Sequence, residues 1–365
     1  MRYIDEYNNK RIINGLIDNI HQKLKGYSKK IVLMEVCGTH TMSIFRSGLK
    51  ELLPRRIELL SGPGCPVCVT PNHYIDKAIA YSRVKDTVIT TFGDMMRVPG
   101  SVSTLEKEKA KGANVVVVYS PLDALTIAKL NPNKKVVFLG IGFETTAPLV
   151  ASTIETAKKS NVRNFFVLSG HKLIPPAIGA LVNSGEVIID GFICPGHVSA
   201  IIGSKPYRFI AEKYNIPCVI TGFEPLDIAE GIYMLVKQIV EHQKADVQIQ
   251  YTRIVKKKGN IKALRVMNKV FKIEDSQWRG IGYILASGLK LSKPYQHFDA
   301  ERNFKVNLPE SKEHKGCICS EILRGVKTPL DCKLFKKRCV PENPLGACMV
   351  SSEGTCSAYY KYNRE

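Results

Sequence analysis

The chain has 365 residues, 44% hydrophobic and 24% charged, an ordinary globular balance with length enough for two or three domains. No apolar run approaches the roughly 18 residues of a membrane span, and the polar opening MRYIDEYNNKRI lacks the apolar core of an export signal, so a cytoplasmic protein without membrane anchorage is expected. The net charge of +20 (53 basic against 33 acidic residues) is scattered, densest at 256–258 and 335–339, and no basic helix carries interleaved aromatics, so nucleic acid is not the expected partner, although RNA stays open as a reading of the charge alone.

From residue 31 onward, short β-branched apolar runs alternate with amphipathic stretches. The runs are IVLMEV (31–36), IELLSG (57–62), DTVITTFG (86–93), ANVVVVYS (113–120), KKVVFLGIGF (134–143), NFFVLSGH (164–171), IIDGFICPGH (188–197) and PCVITGF (217–223). Their near-continuous apolar character is that of buried parallel strands. TTAPLVASTIETAKKS (145–160) and EPLDIAEGIYMLVKQIVEHQK (224–244) read as helices. The alternation predicts an α/β protein with doubly wound parallel sheets. A weak echo favours two sheets: GFETTAP from Gly142 and GFEPLDI from Gly222 each follow a strand and precede a helix. It places Glu144 and Glu224 at helix N-termini, where the macrodipole favours a carboxylate, and leaves a catalytic role open. The expected division is a first α/β domain over 1–135, a second over 136–250, and a mixed segment with a cysteine-rich domain over 251–365.

In such sheets, sites gather at the carboxyl ends of strands. The unusual residues fall there: CGTHT after 31–36, GPGCPVC after 57–61, GDMMRVPGS after 86–92 and CPGHVS at the end of 188–193. There is no GxGxxG and no P-loop, so no tight nucleotide site is expected. Cys65 and Cys68 flank Pro66 in a CPxC pair, which closes a small disulfide or clamps a metal; the surrounding glycines are expected to leave the sulfurs open. Cys37 and His40 add a C-x2-H spacing. With the pair they make a closed Cys3His zinc site; read as an open site, Cys37 alone or with the pair holds a borderline metal such as Fe(II), with His40 as ligand, proton donor or support. Asp94 and Arg97 are candidates to line the same cleft. His171 and His197 sit in glycine-containing turns just past strands, and Cys194 and Cys218, inside apolar runs, read as packing residues.

Eleven cysteines are many for a cytosolic chain, and six crowd the tail in the spacing C-x-C-x12-C-x6-C-x8-C-x7-C. This is neither the C-x2-C-x2-C run of bacterial ferredoxins nor the paired CxxC of zinc ribbons. Four thiolates suffice for one [4Fe-4S] cluster and leave two for a disulfide; structural zinc is the competing assignment.

MEVCGTHT, LLSGPGCPVCVTP, GIGFETTAP, GFICPGHVS and the tail from residue 316 to 362, in this order, resemble the HypD family of [NiFe]-hydrogenase maturation proteins over nearly the whole chain. The resemblance implies a scaffold and redox protein for assembling the Fe(CN)2CO group. Iron is then held between this protein and a HypC-like chaperone, and cyanide comes from a HypE-like protein. It implies that Cys37, Cys65 and Cys68 are the essential thiols, with His40 beside them, and that two α/β domains are followed by a third with a [4Fe-4S] cluster similar to that of ferredoxin–thioredoxin reductase. Carried over to the tail, it implies Cys317, Cys332, Cys339 and Cys356 as cluster ligands and Cys319 with Cys348 as a redox pair. A general iron–sulfur thiol–disulfide oxidoreductase is the alternative.

Overall fold

The computed structural model describes residues 9–363; most of the opening stretch read above for an export signal, residues 1–8, lies outside the described residues. Among the described residues no helix is long and apolar enough to cross a membrane.

All eight expected runs form strands: β1 (Ile31–Glu35), β2 (Ile57–Ser61), β3 (Thr87–Thr91), β4 (Val115–Val117), β5 (Lys135–Gly140), β6 (Phe165–Ser169), β7 (Gly191–Pro195) and β8 (Cys218–Thr221). A ninth short strand, β9 (Val247–Ile249), follows. They make two all-parallel sheets, ordered β2-β1-β7-β8-β9 and β4-β3-β5-β6. Helices cover the faces, which is why the strands carry apolar residues at successive positions: every residue of β3 is buried, and all but the first of β5. The helix Ala147–Lys159 places Ala147, Val150, Ala151, Ile154 and Ala157 on one stripe, packed with Phe138 and Phe165 of β5 and β6. On the five-stranded sheet, the helix Lys10–Lys23 (Ile13, Ile17, Ile20) and the helix Pro225–Val240 (Ile228, Ile232, Leu235) close a separate core with Leu33 and Val219.

The sheets do not divide the chain at residue 135. β1 pairs with β7, with Leu33 opposite Gly191, so the chain leaves the first sheet after β2, builds all of the second, and returns. The unit holding β1 and β2 is completed by residues 191–249, and the four-stranded unit is an insertion. Local patterning is the same in both sheets, and only long-range pairing assigns a strand to one of them.

The segment expected to be mixed contains an antiparallel hairpin, β10 (Phe271–Trp278) and β11 (Gly282–Leu291), with a bulge between Glu274 and Ser276. The cysteine-rich tail has only short helices, Cys319–Leu323, Ala347–Val350 and Thr355–Tyr362. It packs back onto the first unit. Ala347–Val350 lies on the turn of helix Pro66–Val69, and Thr355–Tyr362 lies on the helix Gly38–Ser47, with Phe45 and Tyr359 rings 4.4 Å apart.

Candidate metal and thiol redox site

Both sheets reverse their strand order once, between β1 and β7 in one and between β3 and β5 in the other. Ligand sites of doubly wound sheets form outside the strand ends at such reversals. Here the two reversals face each other. The segments after β1, β2, β3, β5 and β7 line one cleft of about 470 Å³, to which Cys37, Asp94, Phe143, Thr146 and His197 contribute. The tail supplies Ser351, Ser352 and Glu353.

Cys37 ends β1 in extended conformation and is the N-cap of Gly38–Ser47. Its N–H donates to Glu35 Oε2 at 3.0 Å, and the Thr41 hydroxyl also donates to Glu35. Burial pushes the Glu35 carboxyl up to about 8. Burial, then the neighbouring Glu353 and Glu35 carboxylates, pushes the Cys37 thiol up to about 12. A thiolate at Cys37 therefore needs a nearby cation, which a bound metal supplies. The GPGC loop is pressed onto it: Gly38 N–H donates to Gly64 O at 3.0 Å, and a Cβ on Gly64 would stand 2.2 Å from Cys37 N.

His40 does not face the cleft. It is fully buried, with Nε2 2.9 Å from Gly222 O and 2.9 Å from the Thr221 hydroxyl, and burial lowers it to about 4. Its ring stacks on Phe223 at 4.8 Å, and Phe223 stacks on His197 at 3.9 Å. His40 thus supports the cleft wall, and the closed Cys3His arrangement is not formed.

The glycines around the CxxC pair do not leave its sulfurs open. Cys65 is 3% exposed and Cys68 0%. Gly62 and Gly64 serve close packing against Met34 and Cys37, and the tail covers the pair: Cys68 Sγ lies 3.9 Å from Ala347 O. Cys65 Sγ accepts the Cys68 N–H at 3.2 Å. The Cys68 thiol interacts directly with Cys65 on one side and Cys348 on the other. Cys348 in turn meets Cys319, with Sγ atoms 2.7 Å apart, and Cys356. The thiols of Cys65, Cys68, Cys348 and Cys319 therefore form an unbroken line from the first unit into the tail.

Cys317, Cys332, Cys339 and Cys356 line one apolar pocket with Cys319, Cys348, Ile322, Leu334, Phe335 and Met349. Burial pushes the thiols of Cys317 and Cys339 above their usual range. Among the described residues no three His, Cys, Asp or Glu side chains gather tightly enough for a single ion. An all-sulfur, apolar pocket whose thiols are spread around its wall fits a cluster, whose thiolates stand farther apart than those around one zinc ion.

Other candidates fall elsewhere. Arg97 donates to Pro341 O at 2.9 Å outside the cleft. His171 is buried between β6 and the hairpin. Cys194 and Cys218 are neighbouring core residues on β7 and β8. Glu144 accepts Ile174 N–H at 3.1 Å at the start of a different helix, Ile174–Ser184. Glu224 caps its own helix reciprocally with Asp227. Thr39, Phe223 and Glu353 were not singled out from the sequence. Thr39 was legible only as part of CGTHT, and Glu353 lies between tail cysteines with nothing local to link it to Cys37.

Residues 11–363 match the family model described as HypD, "Hydrogenase formation hypA family". The chain is 46% identical to the hydrogenase maturation factor HypD2 of Bradyrhizobium diazoefficiens, covering 100% of this chain and 97% of that protein. It is 43% identical to the hydrogenase maturation factor HypD of Escherichia coli (100% and 99% covered). It is 45% identical to a putative hydrogenase expression/formation protein of Methanocaldococcus jannaschii (98% and 99% covered). With matches running from end to end, this chain belongs to the HypD family of hydrogenase maturation factors.

Proposed function

We propose that this protein is a scaffold and redox factor for assembly of the Fe(CN)2CO group of [NiFe]-hydrogenase. In this reading Cys37 anchors the incoming iron in the cleft between the two sheets, together with a HypC-like chaperone, and a HypE-like protein donates cyanide. Soft thiolate ligation suits a low-spin iron that must accept strong-field ligands at its remaining positions. Cys317, Cys332, Cys339 and Cys356 are the residues that would hold a [4Fe-4S] cluster, which when bound supplies electrons one at a time.

The observation that carries the redox half of the reading is the line of thiols Cys319–Cys348–Cys68–Cys65. Thiol–disulfide exchange needs a thiolate in contact with the sulfur it attacks, and each neighbour in this line meets that requirement. Cys348 released from Cys319 attacks Cys68, Cys65 leaves as thiolate, and Cys319 then recovers Cys348 and frees Cys68. Cys37 stands outside this exchange. Its cleft is lined by Gly64, Pro66 and Val67 of the CxxC loop, so a change at the pair is transmitted to it through one turn of backbone. The alternative, a general thiol–disulfide oxidoreductase acting on other proteins, is disfavoured because both sulfurs of the CPVC pair are buried.

The test is anaerobic purification with iron and sulfide analysis and infrared spectroscopy, with and without the chaperone. Nitrile-region and carbonyl-region bands, lost in Cys37→Ala, are expected. A protein that carries iron but never shows such bands in the presence of its partners overturns the scaffold reading.

A further inference from the structure

A second pocket, of about 330 Å³, shares no lining residue with the Cys37 cleft. Its wall includes Cys317 and Cys319, whereas Cys348, Cys68 and Cys65 do not reach it. Cys319 therefore has Cys348 on one side and this opening on another. Two further residues of the wall are buried and incompletely bonded. Arg279 is 5% exposed; its Nε donates to Thr70 O at 3.0 Å and its Nη1 to Glu313 Oε1 at 3.1 Å, while Nη2 has no hydrogen-bond partner among the described residues. Asn72 is 6% exposed; its Nδ2 donates to Lys312 O at 2.6 Å, while Oδ1 has none. Buried donors and acceptors are rarely left unmatched. One orphan donor with positive charge and one orphan acceptor, in a pocket of small-molecule size, are matched by a ligand carrying both a carboxylate and an N–H group. The guanidinium charge also acts on the Cys319 thiol, so the ligand site and the sulfur are electrostatic neighbours.

We propose that this pocket binds a low-molecular-weight amino-acid thiol, with its carboxylate on Arg279 and its N–H on Asn72, and that this thiol reduces the Cys319–Cys348 pair through Cys319. The inference rests on the redox-pair reading given above. The incoming thiolate attacks Cys319 Sγ; a new S–S bond forms as the bond to Cys348 breaks, and Cys348 leaves with the electron pair and takes a proton from solvent. A second thiol molecule attacks the ligand sulfur of the mixed disulfide, releasing a small-molecule disulfide and the Cys319 thiolate, which is protonated. Two thiols are oxidised to one disulfide and the pair gains two electrons and two protons. Electrons thus enter at the outward sulfur and leave from the inward one toward Cys68, independently of a one-electron donor.

The experiment uses the oxidised full-length protein with cysteine, 3-mercaptopropionate, 2-mercaptoethanol and cysteamine, reading the pair by alkylation and mass spectrometry. Arg279→Gln is expected to slow reduction by the two carboxylate thiols about tenfold relative to 2-mercaptoethanol, the loss of one charge-assisted hydrogen bond. Asn72→Ala is expected to slow cysteine but not 3-mercaptopropionate. Equal changes for all four thiols, or none, overturn the proposal. Should Arg279→Gln not fold, the unaltered protein decides: a rate advantage of the carboxylate thiols that declines with added salt supports the site, and its absence overturns it. If the oxidised protein contains no Cys319–Cys348 bond, the redox-pair reading fails by itself. Calorimetry with S-methylcysteine then tests the pocket separately, with binding expected and lack of binding overturning the site.

Discussion

Thr39 and Glu353 join distant parts of the chain: the Thr39 hydroxyl donates to Glu353 Oε1 at 2.6 Å across 314 residues of sequence. The contact is tight at the backbone as well, since a Cβ on Gly38 would stand 2.4 Å from Glu353 O. Through it the cysteine-rich tail forms one wall of the cleft that holds Cys37.

Glu353→Ala removes this clasp and a carboxylate beside the Cys37 thiol. Both changes favour the thiolate, because burial and the Glu353 charge are what hold that thiol up. Alkylation of Cys37 at pH 8–9 is expected to accelerate about tenfold or more, with a stability loss of about 1–3 kcal/mol. Thr39→Val breaks the same bond but keeps the charge, so a comparable stability loss with a smaller gain in reactivity is expected. Iodoacetamide kinetics and urea unfolding of the two variants check this.

The line of thiols predicts a specific trap. With Cys65 replaced by Ser, mild oxidation leaves Cys68 without its nearer partner, and a Cys68–Cys348 disulfide is expected in peptide maps. In Cys348→Ser the same treatment closes Cys65–Cys68 and leaves Cys319 free. Peptide maps showing random pairing of Cys68 with other tail cysteines contradict the exchange path.

Gly64 has no room for a side chain, because its Cβ position lies 2.2 and 2.4 Å from Cys37 N and Cα. Gly64→Ala forces the loop from the end of β1, with an expected loss of about 3 kcal/mol. It also moves Cys37 relative to the CxxC turn, so hydrogenase maturation is expected to fall more than folding does. Soluble protein yield against hydrogenase activity in a complemented strain separates the two.

Glu144 gives a pH dependence of known sign. Burial raises its carboxyl to about 8 in the folded protein, against about 4.3 in the unfolded chain. Between these values the folded state holds a proton that the unfolded state has lost, so this group's contribution to stability is full below about pH 4 and declines as pH rises to about 8. Glu144→Gln keeps an acceptor for Ile174 N–H and removes the titration. Its stability relative to the unaltered protein is expected to rise with pH, by at most about 1.4 kcal/mol per unit, and to level off above about pH 8. Urea melts at pH 5.5, 7 and 8.5 measure the slope; a flat difference contradicts the buried neutral carboxyl.

Much of the site was legible because the chemistry-bearing residues mark themselves. CGTHT, GPGCPVC and CPGHVS each interrupt an apolar run at the point where a parallel strand must end. The eight runs themselves carry the continuous hydrophobicity of strands buried on both faces. What misled was the glycine content of the CxxC loop, which reads as openness. In the folded chain those glycines allow backbone to approach backbone, and the thiols are covered by a helix nearly 280 residues later in sequence.

Local sequence determined that this would be an α/β protein, where its strands and their terminal loops would lie, and that its sulfur sits in two groups. Only the tertiary structure decided that the four-stranded sheet is inserted into the five-stranded one, that His40 turns away from Cys37 toward Gly222, and that Cys348 bridges the two groups of thiols. Periodicity and turn chemistry act over a few residues, whereas strand partners and sulfur neighbours are chosen by burial across the whole chain.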